Sequence, residues 1–379
     1  MQVHFKGEDL WFAFYGLDPK TGEPAYVDAE GQVAPSRSGS PISFPVPKEM
    51  PFPPLNAARL YLSVGKPLVF PIDAGGHPIP PQSANPGDPN YTTPWDFFEV
   101  TYIPLAGTTG LFNFNLSNVQ SANLPLSFQV QGEDPSTRKP VSYQRGWLPG
   151  GYKKLLSLMR ETPDFSGLIL PDSQRILAPG TAITAYTQGV LKSPLFREDY
   201  LEDYVRQVWS RFEREDLSFV GDPPPGSNDF VPWTGRVHNG QFTFTTKHPG
   251  LEPIVLNKPT TADLFENNFL FCASGRGKPG TLQENYGLQL FGTLCAAFNR
   301  SVMLTVTTLA NSSDCEWCKA TGTFYQDPTT NHYAKGVHGN SKEGLAYAFQ
   351  SDDHCDVSSY VSLVNPTGLH VGLTGRSTA

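Results

Sequence analysis

Trp95-Asp96-Phe97-Phe98-Glu99-Val100-Thr101-Tyr102 places two carboxylic acids within eight residues that are otherwise aromatic or β-branched. Such a composition reads as a β-strand. Successive side chains of a strand point to opposite faces, so Trp95, Phe97, Glu99 and Thr101 share one face. Asp96, Phe98, Val100 and Tyr102 share the other. A carboxylic acid set among aromatics and a hydroxyl has the surroundings that raise a carboxyl pKa and present it to a sugar. The plainer alternative for Glu99 is an exposed strand glutamate without a role. Asp96, on the opposite face, reads as structural.

Working outward, further strands are expected at Leu10–Gly16, Arg59–Val64, 111–116 and 124–130, each an apolar or alternating run closed by turn residues. Residues 71–94 are mostly Pro, Gly, Asn and Asp, which predicts a long ordered loop or rim. Tyr152, Leu155, Leu156 and Met159 recur at helical spacing and stop before Pro163. Leu201, Tyr204, Val205, Val208 and Phe212 form a second helical stripe, and Leu288–Phe298 a third helix. Arg236–Phe242 reads as a hairpin turning at Asn239-Gly240. The order strands, helices, strands predicts a β-rich α+β protein. Residues 1–130 and 301–379 are expected to form a β domain, with 131–300 a mixed α/β domain.

The bulk composition agrees with a folded, loop-rich β protein. Thirty-six prolines and 35 glycines punctuate the 379 residues, while 12% aromatics supply a core. A net charge of −8 with no basic block argues against nucleic acid and anionic membrane as partners. No apolar run is long enough for a transmembrane helix. Met1–Lys6 contain no apolar leader segment, so secretion is expected if a leader was trimmed, and the cytoplasm if Met1 is the native start. Cys315 and Cys318 form one CxxC pair with His332, His338, His354 and Cys355 following. A single pair does not make a zinc site, and no metal or other cofactor is expected. Gly275–Gly280 lacks P-loop spacing and reads as a loop.

The chain also resembles glycoside hydrolase family 64. Asn85-Pro86-Gly87-Asp88-Pro89-Asn90-Tyr91 followed by Trp95–Tyr102 is similar to the family block that carries the catalytic glutamate. Val119–Leu126, Gln207-Val208-Trp209-Ser210-Arg211, Cys295–Ser301, Asn331-His332-Tyr333 and Tyr347-Ala348-Phe349 follow in family order. The resemblance implies a thaumatin-like β-barrel joined to a mixed α/β lobe, with a groove between them for β-1,3-glucan. It implies an inverting endo-glucanase, monomeric, with Glu99 as general acid and Thr101 and Asn115 in the groove. Trp95, Thr101, Asp352 and Asp353 are expected to line one polar and aromatic trough.

The base departs from this pattern. Alignment through Asn115-Leu116-Ser117 and Leu124-Pro125-Leu126 puts the family's aspartate at Gln120, and an amide does not take a proton from water. No Asp or Glu lies between Glu99 and Glu133. Strict alternation from Phe112 and Phe114 sends Gln120 toward the core, so a bulge near Ser117 is expected to bring it out. Asp353 is the best substitute base, with Asp352 beside it. The alternatives to a glucanase are a glucan-binding protein that does not hydrolyse, and an intracellular enzyme using Glu99 on a small molecule.

Overall fold

The computed structural model of the protein describes residues 1–170, 175–268 and 270–374. The chain forms two compact units. The first holds Met1–Ser193, Gly336–Ala348 and Ser358 onward; the second holds Pro194–Lys335 and Phe349–Val357.

The first unit is built on a 12-stranded sheet. Its main strands are β1 (Gln2–Lys6), β2 (Leu10–Leu17), β3 (Leu55–Val64), β4 (Trp95–Ile103), β5 (Leu111–Ser117), β6 (Leu126–Glu133), β7 (Pro140–Gly146) and β8 (Val361–Leu373). They run in the order β7-β6-β8-β5-β4-β3-β2, continued by Pro24–Val27 and Val33–Pro35. Every pairing is antiparallel except that of β1 with the second half of β8. β8 pairs with β5 over Val361–Val364 and then with β1 over Gly368–Gly372. This change of partner curls the sheet. Phe12, Phe14, Phe98, Phe112, Phe114 and Phe128 all lie buried on the inner face. Phe98 and Phe114 stack at 4.9 Å, and Phe128 meets Phe114 edge-on, also at 4.9 Å.

The outer face is divided. Tyr15, Tyr61, Trp95 and Phe97 form a second apolar cluster there with Leu68 and Phe70. The loop between β3 and β4 roofs them. Asn90 pins this loop to itself, its amide accepting from Val69 N–H at 2.7 Å and donating to Val69 C=O at 2.8 Å. The Arg175 guanidinium lies 4.6 Å over the Tyr91 ring. The Pro-rich segment is thus an ordered cover.

Helix α1 (Gly151–Glu161) buries Leu155, Leu156 and Met159, as its spacing predicts. Its placement differs from the sequence reading, which assigned it to the second domain. Tyr152 donates to the Ala122 carbonyl at 3.1 Å. Gly336 lets Leu155 approach so closely that a Cβ there would stand 2.5 Å from it. These contacts hold α1 in the first unit, and the boundary near residue 130 moves to Ser193. Residues 301–335, assigned by sequence to the β domain, belong to the second unit.

The second unit has a six-stranded sheet running Cys272–Ser274, Ile254–Leu256, Gln241–Thr245, Val231–His238, Leu217–Gly221, Thr308–Ala310. The hairpin turns at Asn239-Gly240, both with positive φ, as a type I′ turn requires. Helix α2 (Glu202–Phe212) sets Trp209 and Phe212 against Phe242 at 5.5 and 5.4 Å. Helix α3 (Leu282–Asn299) sets Tyr286 against Trp233 at 5.9 Å. No helix among the described residues is long and apolar enough to cross a membrane.

Candidate functional site

The uncovered part of the outer face carries Glu99. In register, Glu99 stands between Arg59 on β3 and Asn115 on β5. The next rung on this face pairs Thr101 with Asn113, and Asn113 in turn with Ser362 on β8. A cavity of about 310 Å³ opens over these strands, lined by Ala57, Ala58, Arg59, Glu99, Val100, Thr101, Asn113, Asn115 and Tyr360. Glu99 is the only carboxylate among these lining residues.

Each side chain is positioned by its strand. Asn115 Nδ2 donates to Glu99 Oε2 at 2.9 Å. Among the described residues Glu99 Oε1 has no hydrogen-bond partner. Fixing one carboxyl oxygen and leaving the other open orients a single proton-carrying edge. The Arg59 guanidinium lies 5.1 Å over the Phe97 ring, and its Nη1 donates to the Tyr61 hydroxyl at 3.5 Å. Burial opposes its charge, but Tyr61, Tyr15 and Glu99 together more than offset this and raise its pKa. Asn113 Oδ1 is buried without a partner among the described residues. At the far rim β3 bulges between Leu55 and Ala58, with Ala57 at φ 45°.

Thr101 and Asn115 line the same cavity as Glu99. Trp95 does not. It is 1% exposed and packs 5.6 Å from Tyr61 beneath the roofing loop, so its indole is core and does not face a ligand. Alternation had placed Trp95 on the same face as Glu99, which is correct, but alternation does not say what covers a face.

Asp96 points inward. Its carboxylate accepts from Asn123 N–H at 2.8 Å and Leu124 N–H at 2.6 Å, tying β4 to the segment after β5. Burial pushes its pKa up to about 8, against the opposing pull of these donors.

Gln120 lies in the bend beyond β5 and is exposed. It does not line the Glu99 cavity. The expected bulge near Ser117 is absent. Instead β5 ends there, and Asn118 N–H turns to the Tyr347 carbonyl at 2.8 Å. Leaving the ladder frees Gln120 from the alternation that pointed it inward. Its backbone carbonyl accepts from Ala178 N–H at 2.9 Å.

Asp352 and Asp353 belong to the second unit. Asp352 is 0% exposed, and its carboxylate meets Arg300 Nη2 at 3.0 Å. It is a structural ion pair, and the expectation of a substrate-binding aspartate is corrected. A buried guanidinium needs such a partner, since an unpaired buried charge is costly. Asp353 is exposed; the His354 imidazole, 3.7 Å away, holds its carboxyl below the usual range. Cys318 pairs with Cys355 in a disulfide, while Cys315, the other half of the CxxC, is free.

Sequence reasoning missed Arg59, Asn113 and Tyr360. Arg59 had a signal, being the one charge on an apolar alternating strand. Tyr360 had none, standing in irregular chain just before β8.

The description β-1,3-glucanase, glycoside hydrolase 64, fits a family model that matches residues 1–373. The chain belongs to glycoside hydrolase family 64. Among similar proteins, a glucan endo-1,3-β-glucosidase of Arthrobacter sp. (strain YCWD3) is 27% identical over 335 residues. One of the same name from Cellulosimicrobium cellulans is 27% identical over the same length. Each match covers 86% of this chain and 54% of the relative, so the chain spans about half the length of these proteins. Solved structures share the fold. A laminaripentaose-producing β-1,3-glucanase in complex with laminaritetraose superposes with a TM-score of 0.76 at 24% identity, covering 98% and 97% of the two chains. A β-1,3-glucanase domain from Clostridium beijerinckii gives 0.74 at 22%, with the same coverage.

Proposed function

We propose that this family 64 chain acts on β-1,3-glucan as an endo-acting glycoside hydrolase, with Glu99 as the general acid. The observation that carries this reading is the placement of Glu99. It is the one carboxylate in an open polar cavity, with one oxygen anchored by Asn115. Glycoside cleavage needs such an acid to protonate the leaving oxygen as an oxocarbenium-like centre develops. Thr101, Asn113 and Asn115 offer hydrogen bonds to sugar hydroxyls, and Arg59 closes one side of the row. The names of the relatives, both endo-1,3-β-glucosidases, support the substrate class. In finer detail we read the first unit as a thaumatin-like barrel.

Inversion also needs a base about 6.5–9.5 Å from the acid to activate water. By the family resemblance that position is Gln120, which stands in the bend beyond β5, outside the cavity's lining, and whose amide accepts no proton. Hydrolysis is therefore slow, and the absence of a second carboxylate from the cavity favours a second reading, glucan binding without turnover.

The test is incubation with linear β-1,3-glucan, following products by chromatography. Glu99→Gln is expected to abolish hydrolysis. Gln120→Asp is expected to raise it by about tenfold, a fraction of the 10²–10⁴ that a well-placed base contributes. Robust wild-type turnover unchanged by both substitutions would sink these assignments. Glucan bound but left intact by wild type and Gln120→Asp alike would select the binding reading.

A further inference from the structure

We propose that Tyr360 is the stacking platform of a sugar subsite beside Glu99, on the β8 side. The proposal rests on the glucan reading above and names a residue for it. Val361 pairs with Phe114, so Tyr360 stands at the level of Asn115, and Asn115 pairs with Glu99 on the next strand. One cross-sheet row thus reads Arg59, Glu99, Asn115, Tyr360. Two strand spacings separate the last from Glu99, roughly 9.5 Å along the row. That span leaves the floor over Asn115 free for one pyranose ring, with the acid at one edge and the tyrosine at the other.

The ring is suited to this task. It is 47% exposed, so its face is open to a ligand. It is the one aromatic ring lining the cavity. Its backbone is held in place. Tyr360 N–H donates to Ser358 Oγ at 3.3 Å, and Ser359 Oγ donates to the Leu116 carbonyl on β5 at 2.8 Å. An anchored, exposed aromatic face attracts the weakly positive C–H face of a pyranose through its ring quadrupole, and burying it against sugar removes apolar area from water. The hydroxyl-bearing edges of the same sugar meet Asn113, Asn115 and Thr101.

Laminarihexaose binding, measured by calorimetry on Glu99→Gln protein so that nothing is cleaved, reads the platform directly. Adding Tyr360→Ala is expected to weaken binding by about tenfold, and Tyr360→Phe, which keeps the ring, to restore most of it. In otherwise wild-type protein Tyr360→Ala should raise KM more than it lowers kcat and change the lengths of the products. Thermal melts of the variants should match their parents, since the ring is exposed. Equal binding by parent and Tyr360→Ala overturns the platform alone. A loss as large in Tyr360→Phe as in Tyr360→Ala overturns it too, since the hydroxyl would then be the active group. A wild type that binds no laminarihexaose overturns the glucan reading and the platform together.

Discussion

Asp96 and Glu99 are three residues apart on β4 and point to opposite faces, so one meets the core and the other the cavity. Asp96 is folded with a pKa of about 8, against about 3.9 in an unfolded chain. The native state therefore holds more protons than the unfolded state between these values. Its contribution to stability is fully present below about pH 4 and is lost as pH rises toward 8, at up to about 1.4 kcal/mol per pH unit. Replacing Asp96→Asn removes a titrating group and keeps an acceptor for the Asn123 and Leu124 amides. Urea midpoints of wild type and variant, compared from pH 5 to 8, should move apart in the variant's favour as pH rises; parallel profiles would refute the assignment. Trp95 gives a second residue-scale expectation. Because its ring is core, Trp95→Ala should cost about 3–5 kcal/mol of stability, measured by denaturant unfolding. A folded variant with unchanged stability would show that the indole is not packed as described.

At the scale of elements, the segment between β3 and β4 decides what the outer face of the sheet can do. Where it lies over Tyr61, Trp95 and Phe97 the face is core; past Phe97 it is a polar floor. Asn90 holds both backbone groups of Val69, so Asn90→Ala leaves a donor and an acceptor without partners in a part-buried place. The cost should be about 2–3 kcal/mol, with faster protease cleavage between residues 66 and 94. A variant as stable and as protease-resistant as wild type would mean the loop is held by its prolines alone. The three helices and the Asn-Gly hairpin follow their local periodicity closely. α1 shows the limit of such reading. Its stripe predicts a buried face but does not name the partner, and the partner, at Gly336, lies far along the chain.

For the whole molecule, two units built from interleaved segments mean that neither is a contiguous stretch of sequence. The Cys318–Cys355 disulfide lies within the second unit and joins residues 37 apart. Loop closure of this length stabilises by about 4 kcal/mol through the unfolded chain. Reduction, or Cys355→Ser, should lower the melting temperature by several degrees, read by calorimetry with and without dithiothreitol. Equal melting in both conditions would show that the bond is not formed.

The sequence by itself determined the periodic features: the strands, the helical stripes, the turn at Asn239-Gly240 and the face on which Glu99 stands. These depend on backbone geometry over a few residues, and side-chain alternation records them directly. The ordered blocks shared with family 64 also located Glu99, Thr101 and Asn115, which the fold brings into one cavity. Tertiary structure alone decided which parts of a face are covered. Trp95 and Glu99 share a face and differ only because a distant loop reaches one and not the other. Asp352 looked like a site carboxylate until Arg300, 52 residues earlier, was placed against it in the core. Tyr360 gained its position from a strand register set between residues nearly 250 apart. Local periodicity marks which face is apolar, but what covers that face packs from elsewhere in the chain, and the local pattern does not name it.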